Sequence, residues 1–331
     1  MKLLTISIAA YNVEKFLKKT IDSIIETNRL DLIEILIVND GSRDNTAKIA
    51  KEYQNRYPDS IRLIDKENGG HGSTINRGMI EAKGKYFRAL DGDDWVEPGN
   101  LRKLIDELQR IDADIILSDF CKCYENGNKE VVSFEKLNKA GLYEISDILK
   151  NVDWMNYHTI IFNTELVKKN MVQLDENCFY VDTELMIFYI PIINKVYYYN
   201  DFIYCYRLGL SDQSVSPESR MKNISHSRKV AERILTFFNQ INEQTTKDKQ
   251  TYIVQGITNH CIWHYKSLLY FTASEEKKRE IRDFDYKIKK YYPQIYTQMG
   301  KAGKPSVLIN VLRKSKYHLY GLVCWYKHRN I

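Results

Sequence analysis

The stretch Lys85-Tyr86-Phe87-Arg88-Ala89-Leu90-Asp91-Gly92-Asp93-Asp94 decides how this chain is read. A largely apolar run of strand length ends in three closely spaced carboxylates. Such a strand presents its acids together at one edge of a sheet. Bare carboxylates that close repel, so the cluster calls for a divalent cation or the hydroxyls of a ligand. Acidic turns are common, and the cluster alone is a weak signal. A second strand-like run, Ile33 to Val38, strengthens it by ending in Asn39-Asp40-Gly41-Ser42.

Outward from these two runs, strand and helix patterns alternate over the first 120 residues. Leu3 to Ala10, Ile61 to Ile64 and Asp114 to Ser118 complete a set of five expected strands. Val13 to Thr27 reads as a helix with Phe16, Leu17, Ile21, Ile24 and Ile25 on one face. Asp44 is expected to cap a helix running to about Arg56, and Pro98 to open another. The Gly-rich stretch Asn68-Gly69-Gly70-His71-Gly72-Ser73 leads into a further helix to Ala82. This alternation predicts an α/β fold, a doubly wound, mainly parallel sheet flanked by helices. Ligands of such sheets sit beyond the carboxyl ends of the strands, where Asp40 and Asp91 fall. Residues 120–210 are Tyr-rich and less regular, and are expected to complete the sheet and cover the ligand. From about Pro217 the pattern becomes helical. The expected division is therefore 1–216 and a mostly helical 217–331.

Composition narrows the class. At 331 residues and 44% hydrophobic, the chain suits one large globular domain or two smaller ones. No run approaches the roughly 18 apolar residues of a membrane span. The apolar start Leu3 to Ala10 passes directly into Tyr11-Asn12-Val13-Glu14, which favours a first strand over a signal peptide. The six Cys are scattered and form neither a CxxC nor a zinc spacing, so a reduced, cytoplasmic protein is expected. Residues 301–331 hold seven Lys or Arg and no acid, more than the whole net charge of +6. Those bases alternate with Leu319, Leu322, Trp325 and Tyr326. An anionic membrane surface at the inner face of the cell membrane, or packing of the tail within its own domain, would account for that pattern. No nucleic-acid motif accompanies the charge. The central helices could also pair two copies as a homodimer.

Taken together, Ser7-Ile8-Ala9-Ala10-Tyr11-Asn12, Val38-Asn39-Asp40-Gly41-Ser42, Asn68-Gly69-Gly70 through Asn76-Arg77-Gly78, Asp91-Gly92-Asp93-Asp94-Trp95 and Tyr180-Val181-Asp182-Thr183-Glu184 resemble the inverting, GT-A-fold glycosyltransferases of family 2 over roughly residues 1–215. The resemblance implies a nucleotide-sugar co-substrate, a UDP-sugar, with Mg²⁺ or Mn²⁺. It implies that Ala10 and Tyr11 border the nucleobase, that Asp40 contacts it, and that Asn68, Gly70 and Gly92 line the donor. Asp93 is then the metal ligand, Asp91 faces the ribose or a metal-bound water, and Asp91 and Asp94 are further possible ligands. Arg207, in Tyr204-Cys205-Tyr206-Arg207, would approach the diphosphate, with the loop Ser211 to Ser216 closing over it. Asp182 would be the general base.

Each residue has a plainer reading beside this one. Asp40 could shape a turn, Asp182 could be a helix N-cap, and Glu184 is a weaker candidate base. His71 reads as a structural or solvated loop residue. Trp154 and His158 could line the acceptor site or simply pack in the core. Two positions depart from the family pattern. Ile75 stands where many relatives have a diphosphate-binding Arg, so Arg77 is expected to substitute, and Val181 stands where they have a Glu. The implied acceptor is a glycan, a lipid-linked chain or a glycoprotein of bacterial surface polysaccharide or teichoic acid synthesis. Two other classes compete. One is a non-catalytic GT-A module that binds a nucleotide-sugar or a partner enzyme. The other is a nucleotidyltransferase, disfavoured because Ala9 to Val13 carries no Gly-rich, basic loop after the first strand.

Overall fold

The computed structural model describes residues 1–137, 139–209, 216–241 and 245–329. The chain divides into two compact units, Met1–Leu210 and Ser211–Ile331.

The first unit is built on a ten-stranded sheet: β1 (Leu4–Ala10), β2 (Ile33–Asp40), β3 (Ile61–Lys66), β4 (Tyr86–Asp91), β5 (Trp95–Val96), β6 (Ile115–Tyr124), β7 (Lys129–Val132), β8 (Gly141–Glu144), β9 (Ile160–Asn163) and β10 (Lys195–Leu208). Its helices are α1 (Leu17–Ile25), α2 (Thr46–Arg56), α3 (His71–Glu81), α4 (Pro98–Leu108), α5 (Ile145–Asn151), α6 (Thr164–Lys169) and α7 (Asp182–Tyr189). The strand order is β3-β2-β1-β4-β9-β6-β10-β5, with β7 beside β6 and β8 beside β10. β3, β2, β1 and β4 pair in parallel, as do β6 and β10. All eight residues of β2 are buried, which a strand covered on both faces requires. The alternating pattern thus yields the mostly parallel, helix-flanked sheet it predicts. Short β9 runs antiparallel between β4 and β6, and β5 antiparallel on the edge of β10.

The helix expected from Val13 starts at Leu17 instead. Asn12 sits in the left-handed region at φ 53°. The N–H groups of Asn12, Val13 and Glu14 donate to Ser42 Oγ, Thr46 Oγ1 and Asp44 Oδ2, at 3.0, 2.9 and 3.1 Å. The loops after β1 and β2 are thereby laced together at the carboxyl edge of the sheet.

The second unit is helical: α8 (Pro217–Lys222), α9 (Ile224–Ile241), α10 (Lys247–Leu268), α11 (Glu275–Tyr291), α12 (Pro293–Lys301), α13 (Val307–Lys314) and α14 (Tyr320–His328). Its tail is packed inward through Ile309, Leu312, Tyr320 and Val323. Arg313 donates from Nε and Nη2 to the buried Asp285 carboxylate, at 3.0 and 2.6 Å, and Tyr317 OH donates to the same group at 2.6 Å. The outer face of the tail leaves Leu319, Leu322, Trp325 and Tyr326 exposed. No helix among the described residues is long and apolar enough to cross a membrane.

Candidate active site

The site grows from the carboxyl ends of β1, β2 and β4. Buried Ala10 closes β1, and the next residue, Tyr11, is 47% exposed, so its ring is accessible beside the loops of β1 and β2. At the end of β2 the Asp40 carboxylate is 2% exposed. Oδ1 accepts from Lys66 Nζ and the Gly69 N–H, at 2.7 and 2.9 Å, and Oδ2 from the Gly70 N–H at 2.8 Å. Asn68 Nδ2 donates to the Asp40 carbonyl at 2.9 Å. Asp40 therefore clamps the Gly-rich loop, with Asn68 and Gly70 held by it.

That loop in turn receives the segment leading to Asp182. A Cβ on Gly72 would lie 2.1 Å from the Asp175 carbonyl oxygen, so only glycine permits this approach. Asn76 exchanges two hydrogen bonds with the Leu174 backbone, at 2.9 and 3.0 Å, and the Asn177 N–H donates to the Gly69 carbonyl at 2.5 Å. Buried Glu184 accepts from the Asp175 N–H at 2.9 Å, which gives it a structural task and removes it as a base. The chain then passes Tyr180, at φ 69°, and enters α7. Such a backbone is unusual for a bulky residue and is stored where surrounding contacts enforce it. Asp182 is the first residue of α7, while Val181 occupies the N-cap position with no side-chain cap. The N-cap reading of Asp182 is thereby set aside. Asp182 is exposed to solvent. The protein around its carboxyl and the charge of Asp91 raise its pKa, and His71 opposes them.

The acidic turn after β4 forms the centre. A Cβ on Gly92 would meet the Ala9 carbonyl at 2.8 Å, so glycine lets the turn settle against β1. Thr20 Oγ1 donates to the Gly92 and Asp94 carbonyls at 2.9 and 2.6 Å. Asp91 Oδ1 lies 2.9 Å from His71 Nε2 and 3.3 Å from Tyr157 OH. Burial pushes the Asp91 carboxyl up, but the His71 charge and hydrogen bond prevail and hold it low. His71 is correspondingly raised by Asp91 against its own burial. Asp94 is 1% exposed. It accepts from Tyr204 OH at 2.6 Å and from the Arg207 N–H at 2.7 Å. Burial and the charges of Asp91 and Asp93 push it well up. Asp93 is pushed up to about 6 by burial and Asp91.

His158 completes the centre. Its ring stacks on Tyr206 at 4.3 Å and on Phe120 at 5.4 Å. Burial lowers its pKa to about 4, leaving the neutral imidazole that a metal ligand needs. One ligand atom from each of Asp91, Asp94 and His158 falls within 4.8 Å of the others. That span fits a cation bound at roughly 2.0–2.3 Å, and two carboxylates with one imidazole suit Mn²⁺ or Mg²⁺. The crowding that lifts Asp94 is what such a cation relieves. Beneath them Arg88 is fully buried. Its Nη2 donates to the His158 carbonyl, while Nε and Nη1 have no hydrogen-bond partner among the described residues. Burial lowers its pKa to about 10.

Arg77 is not brought to this cluster. It is half-exposed and paired with Glu81 at 2.7 Å, one turn further along α3 and away from His71. Arg207 does reach the turn: its Nε donates to the Asp93 carbonyl at 2.7 Å, and its guanidinium lies over Phe16 and Trp95 at 4.6 and 5.0 Å. The loop residues Ser211 to Val215 lie outside the described residues. Sequence reasoning missed Lys66, Tyr157, Tyr204 and Arg88, and undervalued His71 and His158. Only Arg88 announced itself, as a charge inside an otherwise apolar strand.

The sequence model of Glycosyl transferase family 2 matches residues 5–167. The uncharacterized glycosyltransferase EpsJ of Bacillus subtilis (strain 168) is 38% identical over 120 residues, 36% of this chain and 34% of that protein. The minor teichoic acid biosynthesis protein GgaB of the same organism is 31% identical over 172 residues, 51% of this chain and 19% of that protein. The chain thus spans well under two thirds of these relatives' length. Among solved structures, S. aureus TarS 1-349 in complex with UDP-GlcNAc superposes with a TM-score of 0.69 at 18% identity, covering 100% of this chain and 92% of that one. At that identity the likeness establishes the GT-A-like fold alone. Through residues 5–167, the chain belongs to glycosyl transferase family 2.

Proposed function

We propose that the first unit transfers a sugar from a nucleotide-sugar, a UDP-sugar, to an acceptor hydroxyl in one inverting displacement, in bacterial surface glycan or teichoic acid synthesis. The observation that carries this reading is the gathering of Asp91, Asp93, Asp94 and His158 at one sheet edge, with Asp182 electrostatically coupled to Asp91 and His71. UDP-GlcNAc bound to TarS supports the choice of donor.

Tyr11 offers its ring to the base, and the loop Asn68 to Gly70, clamped by Asp40, forms the floor. Arg207 and His71 are the cations beside the diphosphate, in place of Arg77. A Mg²⁺ or Mn²⁺ held by Asp91, Asp94 and His158, with Asp93 adjacent, would neutralise charge on the departing diphosphate. Asp182 takes the proton of the acceptor hydroxyl as its oxygen bonds to the anomeric carbon. The bond from that carbon to the diphosphate breaks, and the nucleoside diphosphate leaves. A carboxyl raised towards neutral pH is the better base for this.

Donor hydrolysis across UDP-, GDP- and dTDP-sugars tests the reading. One UDP-sugar should be hydrolysed slowly with Mn²⁺, at least about 100-fold slower in EDTA and in Asp93→Ala. Hydrolysis that EDTA leaves unchanged would contradict it.

For the second unit we propose peripheral attachment to the cytoplasmic face of the membrane through the outer face of α14. Leu322 and Trp325 are 59% and 52% exposed there, beside Lys327 and Arg329. Leu322→Asp should release the protein from vesicles containing anionic lipid, and equal sedimentation of variant and parent would rule the idea out. Removing residues 301–331 is a poorer probe, because it also strips Arg313 and Tyr317 from buried Asp285.

A further inference from the structure

Strand alternation sends Tyr204 and Tyr206 of β10 toward His158, and Cys205 and Arg207 to the opposite face of the sheet. On that opposite face lies an open cavity of about 260 Å³, lined among others by Lys19, Trp95, Cys123, Lys129 and Arg207. Its charge follows from register. Arg207 of β10 is opposite Cys123 of β6, and Cys123 is opposite Lys129 of β7. Residues of one such row leave the sheet on the same face, so Arg207 and Lys129 flank Cys123. Lys19 comes from α1 and holds its Nζ 3.3 Å from the centre of the Trp95 ring.

These three cations meet little counter-charge. Glu125 is the one acid lining the cavity. Neighbouring Glu130 is already taken by Lys122 Nζ at 2.9 Å and Tyr124 OH at 3.1 Å. Burial lowers the pKa of Lys19, and the charges of Arg207 and Lys129 lower it further. Like charges converging from three separate elements around a concave surface build a positive potential that favours an anion. The exposed ring of Trp95 beside them suits the apolar face of a sugar or polyol.

We propose that this cavity binds a phosphate group of the acceptor, so that the enzyme acts on a phosphate-bearing glycan or polyol chain. The inference rests on the transferase reading above and adds the acceptor's class to it. The donor is the less suitable occupant on two grounds. Its diphosphate belongs beside Asp91, Asp94 and His158, across the sheet. The cavity is also smaller than the roughly 300–1,000 Å³ that encloses a drug-sized ligand, which leaves space for one phosphate and its attached unit. Arg207 links the two places, since its Nε holds the Asp93 carbonyl while its side chain lines the cavity. An acceptor anchored here would present its hydroxyl around the carboxyl edge of the sheet.

The test uses the full chain and the double variant Lys19→Ala/Lys129→Ala. Both lysines are exposed, and neither belongs to the catalytic centre. The probes, followed by calorimetric titration, are a synthetic tri(glycerol phosphate), inorganic phosphate, and UDP with Mn²⁺. The double variant should bind tri(glycerol phosphate) at least about tenfold more weakly, as loss of two charged contacts requires, with UDP affinity unchanged within twofold. Unchanged tri(glycerol phosphate) binding would overturn the proposal. So would a parallel loss of UDP affinity, which would assign the cavity to the donor, or inorganic phosphate binding as tightly as the oligomer, which would make it a free-anion site. Donor hydrolysis by the same two proteins reports separately on the transferase reading. If the parent hydrolyses no donor while the titrations come out as expected, that reading fails and the phosphate site stands.

Discussion

Asp182→Asn should abolish sugar transfer while leaving the fold and donor binding intact. The substitution keeps the shape of the side chain and removes its ability to take a proton. Loss of a general base costs about 10²–10⁴-fold in turnover. The expected stability cost is small, because Asp182 is the first residue of α7 and caps nothing. A carboxylate in the first turn of a helix interacts with the helix dipole for about 0.3–1 kcal/mol. Single-turnover transfer, calorimetric donor titration and urea unfolding on one preparation separate these quantities. Transfer at the parental rate would show that another group, or water, accepts the proton. A loss of several kcal/mol with turnover retained would return Asp182 to a structural role.

The largest effect on stability is expected in the second unit. Arg313→Ala should cost about 3–5 kcal/mol, the range for removing one partner of a buried ion pair. The Arg313 and Asp285 side chains are only 11% and 6% exposed. Arg313 also stacks on Tyr296 at 3.6 Å and donates from Nη1 to its carbonyl at 3.0 Å. Without Arg313, the Asp285 carboxylate keeps Tyr317 OH but loses its counter-charge. Arg313→Lys should recover only part of the loss, since an ammonium cannot reproduce the two-pronged geometry. By contrast, removing the exposed Lys278–Glu275 pair, at 3.1 Å, should cost less than about 1 kcal/mol. Urea unfolding of the three variants measures this contrast directly. Equal, small effects would mean that the tail contributes little to the unit's stability.

The part of the fold that was legible in the sequence is the part built from local signals. β1, β2 and β4 are interior parallel strands and read as near-continuous apolar runs. The acids at their ends mark the carboxyl edge without any knowledge of topology. The helices of the second unit are legible for the same reason: Ser274 caps α11 at the Lys277 N–H, 3.2 Å away, where the sequence pattern starts a helix. What could not be read is what the chain assembles across long separations. Tyr204 reaches Asp94 over 110 residues, and Tyr157 reaches Asp91 over 66. The insertion of β9 between β4 and β6, with the parallel alignment of β10, brings these groups and His158 together. No local period encodes that arrangement. Arg77 is a different case. Its partner Glu81 stands four residues on, a spacing that already favours an ion pair along a helix face. The expectation that Arg77 replaces a missing diphosphate ligand overlooked that nearer partner. His71 misled in the opposite direction: its loop position suggested solvent, but the start of α3 aims it at Asp91.

The most direct measurement is the affinity of UDP for the purified chain, with Mn²⁺ and with EDTA. The account predicts binding that tightens at least about tenfold with Mn²⁺ and loses that gain in Asp91→Ala, because the carboxylates and His158 would hold a cation against the diphosphate. UDP binding that ignores both the cation and Asp91, or no UDP binding at all, would contradict it.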